Sequence, residues 1–257
     1  MTRENGTVLI ESLWRYPVKS MQGETCDELR VDWTGVVNDR GVGVLDLENG
    51  TILSAKREGR LLQASASLTS SGLELTLPDG RRAVRGAALD EELSRWLGRR
   101  VALVDAATYG TGTFEAPDDF EDDASPLHRW RGPAESFVDS SSLHLLERAE
   151  LTRLVRERPE LQWDVRRFRP NIVVDSISAP GDWAVAGTRL RMGDVDIEIE
   201  KGCARCVMTT RAQPGDLARQ LDILRHVSSA HGSDLGVLAR VLSPGIVRVG
   251  DVVEILD

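Results

Sequence analysis

The segment LLQASASLTSSGLELTLPDGRRAV, residues 61–84, carries the pattern that decides the fold. Strands are predicted at residues 61–68, 73–77 and 81–84, and Pro78-Asp79-Gly80 separates the last two. Proline presets one turn dihedral and glycine accepts the positive one, so this tripeptide predicts a tight reversal of the chain. Short strands separated by turns at such intervals are typical of a β-barrel or a β-sandwich.

The strand pattern extends toward the N-terminus, and one helix follows it. Further strands are predicted at residues 8–16, 29–33, 42–46 and 51–55. Residues 89–97 place apolar side chains on one helical face and stop before Gly98, which suits a helix C-cap. We expect this helix to close a first, β-rich unit.

Residues 108–133 lack a regular pattern, and six acidic residues fall between Glu115 and Asp123. Blocks of like charge repel one another and tend to stay extended. This stretch is therefore predicted to be a solvated linker, and a mobile lid or docking loop is the alternative.

The second half of the chain mixes both types of element. A helix is predicted to begin after Ser140, Ser141 and Ser142 and to use Leu143 and Leu146, and Pro214 is expected to open another helix. Strands are predicted at residues 172–175, 190–192, 195–200, 235–242, 246–249 and 252–256. The fold class is thus mixed α/β and mostly β.

Composition and charge exclude several classes of protein. The 257 residues carry a formal net charge of −9, which argues against a nonspecific nucleic-acid binder or a protein that binds anionic membranes. No run of about 18 apolar residues predicts a membrane span, and the polar start of the chain lacks a signal peptide. Three cysteines, an odd number, do not predict a disulfide framework, so the expected compartment is the cytoplasm.

Cys203 and Cys206 lie three positions apart after a predicted strand. A zinc site needs further ligands, but no second cysteine pair exists, and the four scattered histidines are predicted to be surface or cap residues. A dithiol redox site requires a helix start, whereas residues 207–210 are predicted to continue as an extended segment. The remaining interpretations are a thiolate that binds a soft metal or transfers sulfur, and two buried apolar cysteines.

Several basic residues occur where strands begin or end. Lys19 could neutralise a phosphate beside the Ser20 hydroxyl, although a plain strand-end lysine fits equally well. Arg166, Arg167 and Arg169 precede a buried strand, and such a cluster indicates either a bound polyanion or an ion-pair network.

Five segments occur together and in order along nearly the whole chain. They are Tyr16-Pro17-Val18-Lys19-Ser20, Asp39-Arg40-Gly41, Phe168-Arg169-Pro170-Asn171-Ile172-Val173, Cys203-Ala204-Arg205-Cys206 with Thr209-Thr210, and Pro244-Gly245-Ile246-Val247-Arg248-Val249-Gly250-Asp251. In this combination the chain resembles the MOSC proteins, which include the mitochondrial amidoxime reducing component and its bacterial relatives. The resemblance implies an N-terminal β-barrel-like module, residues 1–107, packed on a MOSC β-barrel domain with peripheral helices, residues 134–257, with residues 108–133 between them.

The resemblance also implies a molybdenum cofactor, a molybdopterin that carries molybdenum. Cys206 matches the metal ligand and catalytic residue, and Cys203 is a neighbour and not a ligand. The positions implied to bind the rest of the cofactor are Lys19, Ser20, Arg40, Ser140, Ser141, Arg169, Asn171 and Arg205.

The implied reaction is oxygen removal from N-hydroxylated small molecules, with electrons from an external ferredoxin or reductase. In place of an Asp-Pro pair found in many relatives, this chain has residues 211–216. The substrate of those relatives is therefore not assigned to this chain. The alternative is a carrier of sulfur, as a persulfide on Cys206, or of the molybdenum cofactor. Pyridoxal phosphate is a third possibility, for which only Lys19, Lys56 and Lys201 could form a Schiff base.

Overall fold

The computed structural model describes residues 7–175 and 184–256. The strands in these ranges are β1 (Val8–Arg15), β2 (Glu24–Cys26), β3 (Glu28–Asp32), β4 (Gly35–Val36), β5 (Val42–Asp46), β6 (Thr51–Ile52), β7 (Ser65–Thr69), β8 (Gly72–Thr76), β9 (Arg82–Val84), β10 (Val101–Asp105), β11 (Thr113–Pro117), β12 (Leu127–Arg131), β13 (Leu143–Glu147), β14 (Ile172–Asp175), β15 (Arg189–Met192), β16 (Val195–Ala204), β17 (Asp234–Ser243), β18 (Gly245–Arg248) and β19 (Val252–Leu256). The α-helices are α1 (Ala87–Leu97), α2 (Ala106–Tyr109), α3 (Arg148–Glu157) and α4 (Leu221–Ala230). Short 3-10 helices cover Gly59–Gln63, Val165–Arg167 and Val207–Thr210. The fold is mostly β, as predicted, and none of the helices in the described ranges has the length and apolarity that a bilayer crossing needs.

Seven strands close into a barrel in the order β1, β14, β13, β17, β16, β15, β19, with β19 pairing back to β1. Neighbouring strands are antiparallel except for β13 and β14, which run parallel. On β1 both Ile10 and Leu13 face the apolar interior, although residues three apart on a regular strand point to opposite faces. A register shift between Ile10 and Ser12 supplies the extra residue that turns both side chains inward.

The barrel draws strands from both ends of the chain. Strand β1 pairs with β14 and β19, and β3 pairs with β18, so residues near the N-terminus are built into a sheet made mainly of C-terminal strands. The division at residues 107 and 133 stays a prediction. Residues 8–32 nevertheless share hydrogen bonds and an apolar core with the second half, so the first unit is not structurally separate from the second.

A second core belongs to the first half of the chain. The sheets β10-β5-β6 and β7-β8-β9 pack with α1 around it, and α1 contributes Leu89, Leu93 and Leu97. Gly98 ends this helix in the left-handed conformation at φ 66°, which confirms the predicted helix and its cap. The predicted strand at residues 61–68 is half wrong: Leu61 and Leu62 are fully buried in a 3-10 helix, and strand β7 begins only at Ser65.

Three further predictions in the second half need correction. Leu143–Glu147 is a strand and not the start of a helix, because all five residues are buried between β14 and β17. Helix α3 begins only at Arg148, where Glu147 and Glu150 form a reciprocal capping box. The helix expected after Pro214 begins at Leu221, and Val207–Thr210 is a 3-10 helix and not extended.

The predicted acidic linker contains a β-hairpin formed by β11 and β12. Its inner face places Phe114 against Trp130 and Phe137, which supplies the apolar contact that a solvated linker would lack. Glu115 is buried and accepts ion pairs from Arg57 and Arg129.

The acidic loop between β11 and β12 is paired as well. Glu121 binds Arg225, and Asp123 binds both Arg211 and Arg219. Arginines of the second half therefore compensate Glu121 and Asp123, two of the six acids that predicted an extended chain.

We expect Glu115→Gln to lower the free energy of unfolding by about 1.5–3 kcal/mol, because the substitution weakens two charged hydrogen bonds to a buried carboxylate. Glu121→Gln is the control, since its ion pair with Arg225 is exposed and should matter little. Urea denaturation of the full chain measures both changes. Equal stability of the two variants would contradict the anchoring role of Glu115.

Candidate functional site

A cavity of about 420 Å³ opens between the barrel and the first half of the chain. Every residue that the resemblance implied for molybdenum cofactor binding lines it. Its lining includes Lys19, Ser20, Arg40, Ser140, Ser141, Arg169, Asn171, Arg205 and Cys206. The remaining lining residues are Val138, Asp139, His144, Arg167, Phe168, Lys201, Gly202, Cys203, Ala204, Met208, Asp234 and Leu238.

The cavity is basic in an acidic protein. Six cationic residues line it against two carboxylates, those of Asp139 and Asp234, while the whole chain carries a net charge of −9. Concentrating cations in a recess that shields them from water costs free energy unless an anion compensates them. The electrostatics therefore favour an anionic ligand.

One wall of the cavity is a stack of two arginines on a buried tyrosine. The guanidinium carbons of Arg40 and Arg169 lie 4.7 Å and 4.1 Å from the centroid of the Tyr16 ring. Arg40 is paired with Asp39 and also donates to the carbonyl oxygen of Arg169 at 3.1 Å. The peptide N–H of Tyr16 donates to Asp39 at 2.7 Å, so the end of β1 is held by the carboxylate that holds Arg40.

Arg169 keeps a donor free for a ligand. Its Nη1 donates to the carbonyl oxygen of Met21 at 2.6 Å, whereas its buried Nη2 has no hydrogen-bond partner in the described part of the chain. Burial and the neighbouring Arg40 lower the pKa of Arg169 to about 10, so the group is still charged at neutral pH. A buried cationic donor without a partner indicates a binding position for an acceptor.

A second group of charges joins two lysines through one aspartate. Lys19 Nζ donates to Asp139 Oδ1 at 2.8 Å and to the Phe137 carbonyl oxygen at 2.7 Å, and Lys56 Nζ lies 3.0 Å from Asp139 Oδ2. Burial would raise the pKa of Asp139, but the two ammonium groups outweigh it and lower that pKa. Burial lowers the pKa of Lys19, whereas attraction to Asp139 and Cys206 outweighs burial at Lys56 and raises its pKa.

Sequence reasoning assigned no site role to Asp139, and it considered Lys56 only as a possible Schiff-base lysine for pyridoxal phosphate. Asp139 lies next to the predicted Ser140 and Ser141, so that motif offered a signal. Lys56 had a weaker one, since it is one of only three lysines in the chain.

The two cysteines of the Cys-x-x-Cys segment have different surroundings. Cys203 is buried at the end of β16, accepts a hydrogen bond from Arg205 Nη1 at 2.8 Å, and has its pKa raised by burial. Cys206 is half-buried at the start of the Val207–Thr210 3-10 helix. Its thiol has no hydrogen-bond partner among residues 7–175 and 184–256 and is therefore available to a ligand.

His144 corrects the expectation that all four histidines are surface or cap residues. It is buried in the cavity wall, where Nδ1 lies 3.4 Å from the Arg169 carbonyl oxygen and Nε2 lies 3.3 Å from Arg205 Nη1. Burial and the adjacent Arg205 lower its pKa well below the ordinary value, so the ring is neutral. Asn171 accepts from the His144 peptide N–H at 3.3 Å and donates to the Trp14 carbonyl oxygen.

The cluster of three arginines is divided between different tasks. Arg167 is fully buried and donates to the carbonyl oxygens of Gln162, Thr209, Arg211 and Ala218, which fixes the segment that follows Cys206. Arg166 pairs with Asp164 at 2.8 Å. Of the three, Arg169 is the one with an unpartnered donor at the cavity.

These features fit a cofactor that carries a phosphate and a soft metal. Arg205 Nε, like Arg169 Nη2, is a buried donor with no partner in the described residues, and both side chains line the cavity. Cationic side chains with free donors suit phosphate oxygens, and a thiol without a hydrogen bond suits a thiophilic metal. The cavity volume lies in the range of small-molecule and cofactor sites.

Comparison with known proteins agrees with this arrangement. The family model described as the MOSC N-terminal beta barrel domain matches residues 7–121, and the MOSC domain matches residues 133–254. The chain belongs to the MOSC family. That family is associated with molybdenum cofactor binding.

Two named relatives of this MOSC protein are mitochondrial proteins. The chain is 25% identical to mitochondrial amidoxime-reducing component 1 of Homo sapiens over an alignment of 303 residues. That alignment covers 100% of this chain and 85% of the human protein. The chain is 26% identical to mitochondrial amidoxime reducing component 2 of Rattus norvegicus, over 78% of this chain and 66% of the rat protein. The solved YuaD protein of Bacillus subtilis is 12% identical, has a TM-score of 0.46, and is covered over 96% of its length by 97% of this chain.

The neutral state of His144 predicts a pH dependence of stability. As the pH falls below 6.5, the unfolded chain takes up a proton on His144 that the folded protein refuses, so the free energy of unfolding falls by up to about 1.4 kcal/mol per pH unit. His144→Asn should remove this contribution, whereas His128→Asn, at an exposed site, should keep it. Urea denaturation of the cofactor-free protein between pH 5 and about 7 measures the difference. Parallel profiles for His144→Asn and the parent would contradict the neutral, buried ring.

Proposed function

We propose that this MOSC protein is a molybdenum-cofactor-dependent oxidoreductase that reduces N-hydroxylated or N-oxygenated small molecules, with Cys206 as the metal ligand and catalytic residue. The observation that carries the proposal is the convergence of a thiol without a hydrogen bond and two unpartnered cationic donors in one basic cavity. The family and the names of its relatives support the same class of reaction.

The residues of the cavity divide into three groups by task. Cys206 would hold the metal through its sulfur, as a thiolate, while Cys203 stays a buried thiol that accepts a hydrogen bond from Arg205. The hydrogen-bond acceptors of the cofactor's phosphate and pterin would be held by Lys19, Arg40, Ser20 and Arg169. Ser140, Ser141, Asn171 and Arg205 complete the polar wall around them.

When bound, the cofactor would supply removal of an oxygen atom from the substrate, in which two electrons and two protons convert that oxygen to water. The two electrons come from a separate ferredoxin or reductase. The protein keeps the cavity wall rigid, because Asp39, Asp139 and the Arg167 hydrogen bonds hold the surrounding backbone and cations before any ligand arrives.

Cys206→Ser should lose molybdenum and activity together, because a hydroxyl is a poor ligand for a thiophilic metal. Cys203→Ser should keep at least part of both, since Cys203 is occupied by Arg205. Protein from a host that makes molybdenum cofactor is assayed for molybdenum per chain and for reduction of a benzamidoxime-type substrate by dithionite-reduced dye.

Three outcomes would count against this assignment. Metal that follows Cys203 and not Cys206 would reverse the ligand assignment. A persulfide on Cys206 in protein without molybdenum would favour the sulfur carrier. Absorbance of a Schiff base that disappears in a lysine variant would favour pyridoxal phosphate.

Lys19→Met should weaken cofactor retention by about 10- to 150-fold, the equivalent of a charged hydrogen bond worth about 1.5–3 kcal/mol. The Lys19 ammonium has three donors, and within residues 7–175 and 184–256 two oxygens accept from it, those of Phe137 and Asp139. Lys201→Met, at an exposed position on the cavity rim, is the control and should lose less. Cofactor that remains after equilibrium dialysis is measured by pterin fluorescence, and equal loss from both variants would remove Lys19 from the phosphate site.

A further inference from the structure

Three metal-ligating side chains meet outside the cavity, at the far ends of two helices. Glu157 lies in the last turn of α3, His226 lies in α4, and His231 caps the C-terminus of α4. His226 Nε2 and His231 Nε2 lie 2.8 Å and 2.7 Å from the same atom, Glu157 Oε2. In the described ranges this is the one group of three or more such ligands whose atoms converge.

We propose that Glu157, His226 and His231 form a binding site for Zn²⁺ or a similar divalent transition metal. Two imidazole nitrogens and one carboxylate oxygen are a donor set that zinc accepts, and a fourth position remains for water. Ligand atoms around tetrahedral zinc are separated by about 3.3 Å. The three ligand atoms here lie within 4.8 Å of one another, and Glu157 Oε2 is 2.8 Å and 2.7 Å from the two imidazole nitrogens. The proposal is independent of the cavity and its cofactor.

The position of the site in the fold favours a cation. Helices α3 and α4 have 10 residues each, and both point their C-terminal ends at the cluster. The partial negative charge of a helix C-terminus stabilises a nearby cation. The side chains are also partly accessible, with 31% of Glu157, 14% of His226 and 11% of His231 exposed, so a metal ion can enter from solvent.

The cluster is held by packing on both helices. His226 lies 5.9 Å from the Trp163 ring, and the two histidine rings are 5.5 Å apart. The helices share a core that includes Leu154 and Val227, so the ligands project from rigid elements. A metal here would clamp α3 to α4 over that core.

The side chain of Arg153 disfavours metal binding at His231. Its Nη2 lies 3.0 Å from His231 Nδ1, which assigns the ring hydrogen to Nε2 in the metal-free protein. Zinc on Nε2 requires that hydrogen to shift to Nδ1, where it faces the Arg153 donor. Arg153 is 42% exposed and can turn toward solvent, but its positive charge still disfavours the ion.

The test titrates Zn²⁺ into the untagged full chain against a chromophoric zinc indicator. His226→Ala and His231→Ala should each weaken binding about tenfold or more, and Glu157→Gln should weaken it as well. Arg153→Met should tighten binding, an opposite change that loss of structure would not produce. His128→Ala is the matched control, because His128 also pairs with a carboxylate, Asp118 at 2.9 Å, and it should leave binding unchanged.

Two further measurements keep the result decisive. Zinc could also bind to Cys203 and Cys206. The Cys203→Ser/Cys206→Ser variant is therefore titrated in parallel, and it should still bind the one zinc ion per chain that depends on His226 and His231. Long-range imidazole ¹⁵N spectra of the unmodified chain should show Nε2 of His226 and His231 shifting with zinc while His128 does not. Unshifted nitrogens, or His226→Ala and His231→Ala that bind as tightly as the parent, would overturn the proposal and leave a hydrogen-bonded contact between helices.

Discussion

The pairing of β1 with β14 is the constraint on which the site depends. This pairing closes the barrel and sets Leu13 opposite Ile172, so the residues that follow β1 lie beside those that precede β14. Tyr16 and Arg169, 153 positions apart in the chain, come into ring-to-guanidinium contact as a direct result. Without the closure, the basic residues of the first half would lie far from the cysteines of the second.

Balanced charge is the second theme of the structure. Asp39 neutralises Arg40, and Asp139 is shared between Lys19 and Lys56, so part of the cost of burying cations is met inside the protein. The compensation is incomplete, because Arg169 and Arg205 keep buried donors with no partner in the described residues. A site that binds an anion needs both conditions: enough internal pairing to fold while empty, and enough uncompensated charge to hold its ligand.

Much of this was accessible from the sequence, and the rest depended on contacts that no local pattern records. Alternating or continuous apolar runs predicted β5, β14 and β19 with the bounds observed, and one helical face with a glycine cap predicted α1. Leu143–Glu147 was misassigned because a short apolar run has no period that separates strand from helix.

Site residues were predicted where a motif held them together in sequence. His144 was not assigned to the site, and Lys56 was considered only for pyridoxal phosphate, because no motif marks the segment that carries either residue. The hairpin β11-β12 was missed for a related reason. Its acids predicted repulsion, and their partners, including Arg57 and Arg211, lie in distant segments.

Strand β1 is far in sequence from its barrel neighbours β14 and β19, and this separation sets an order of events during biosynthesis. The ribosome adds about 5–20 residues per second, so roughly 8–30 seconds pass between the emergence of β1 and that of β14. The core made by the two three-stranded sheets and α1 is complete by Leu103 and is available to fold in that interval. Until then the edges of β1 that meet β14 and β19 in the folded barrel stay unpaired, and unpaired strand edges are prone to pair with other chains.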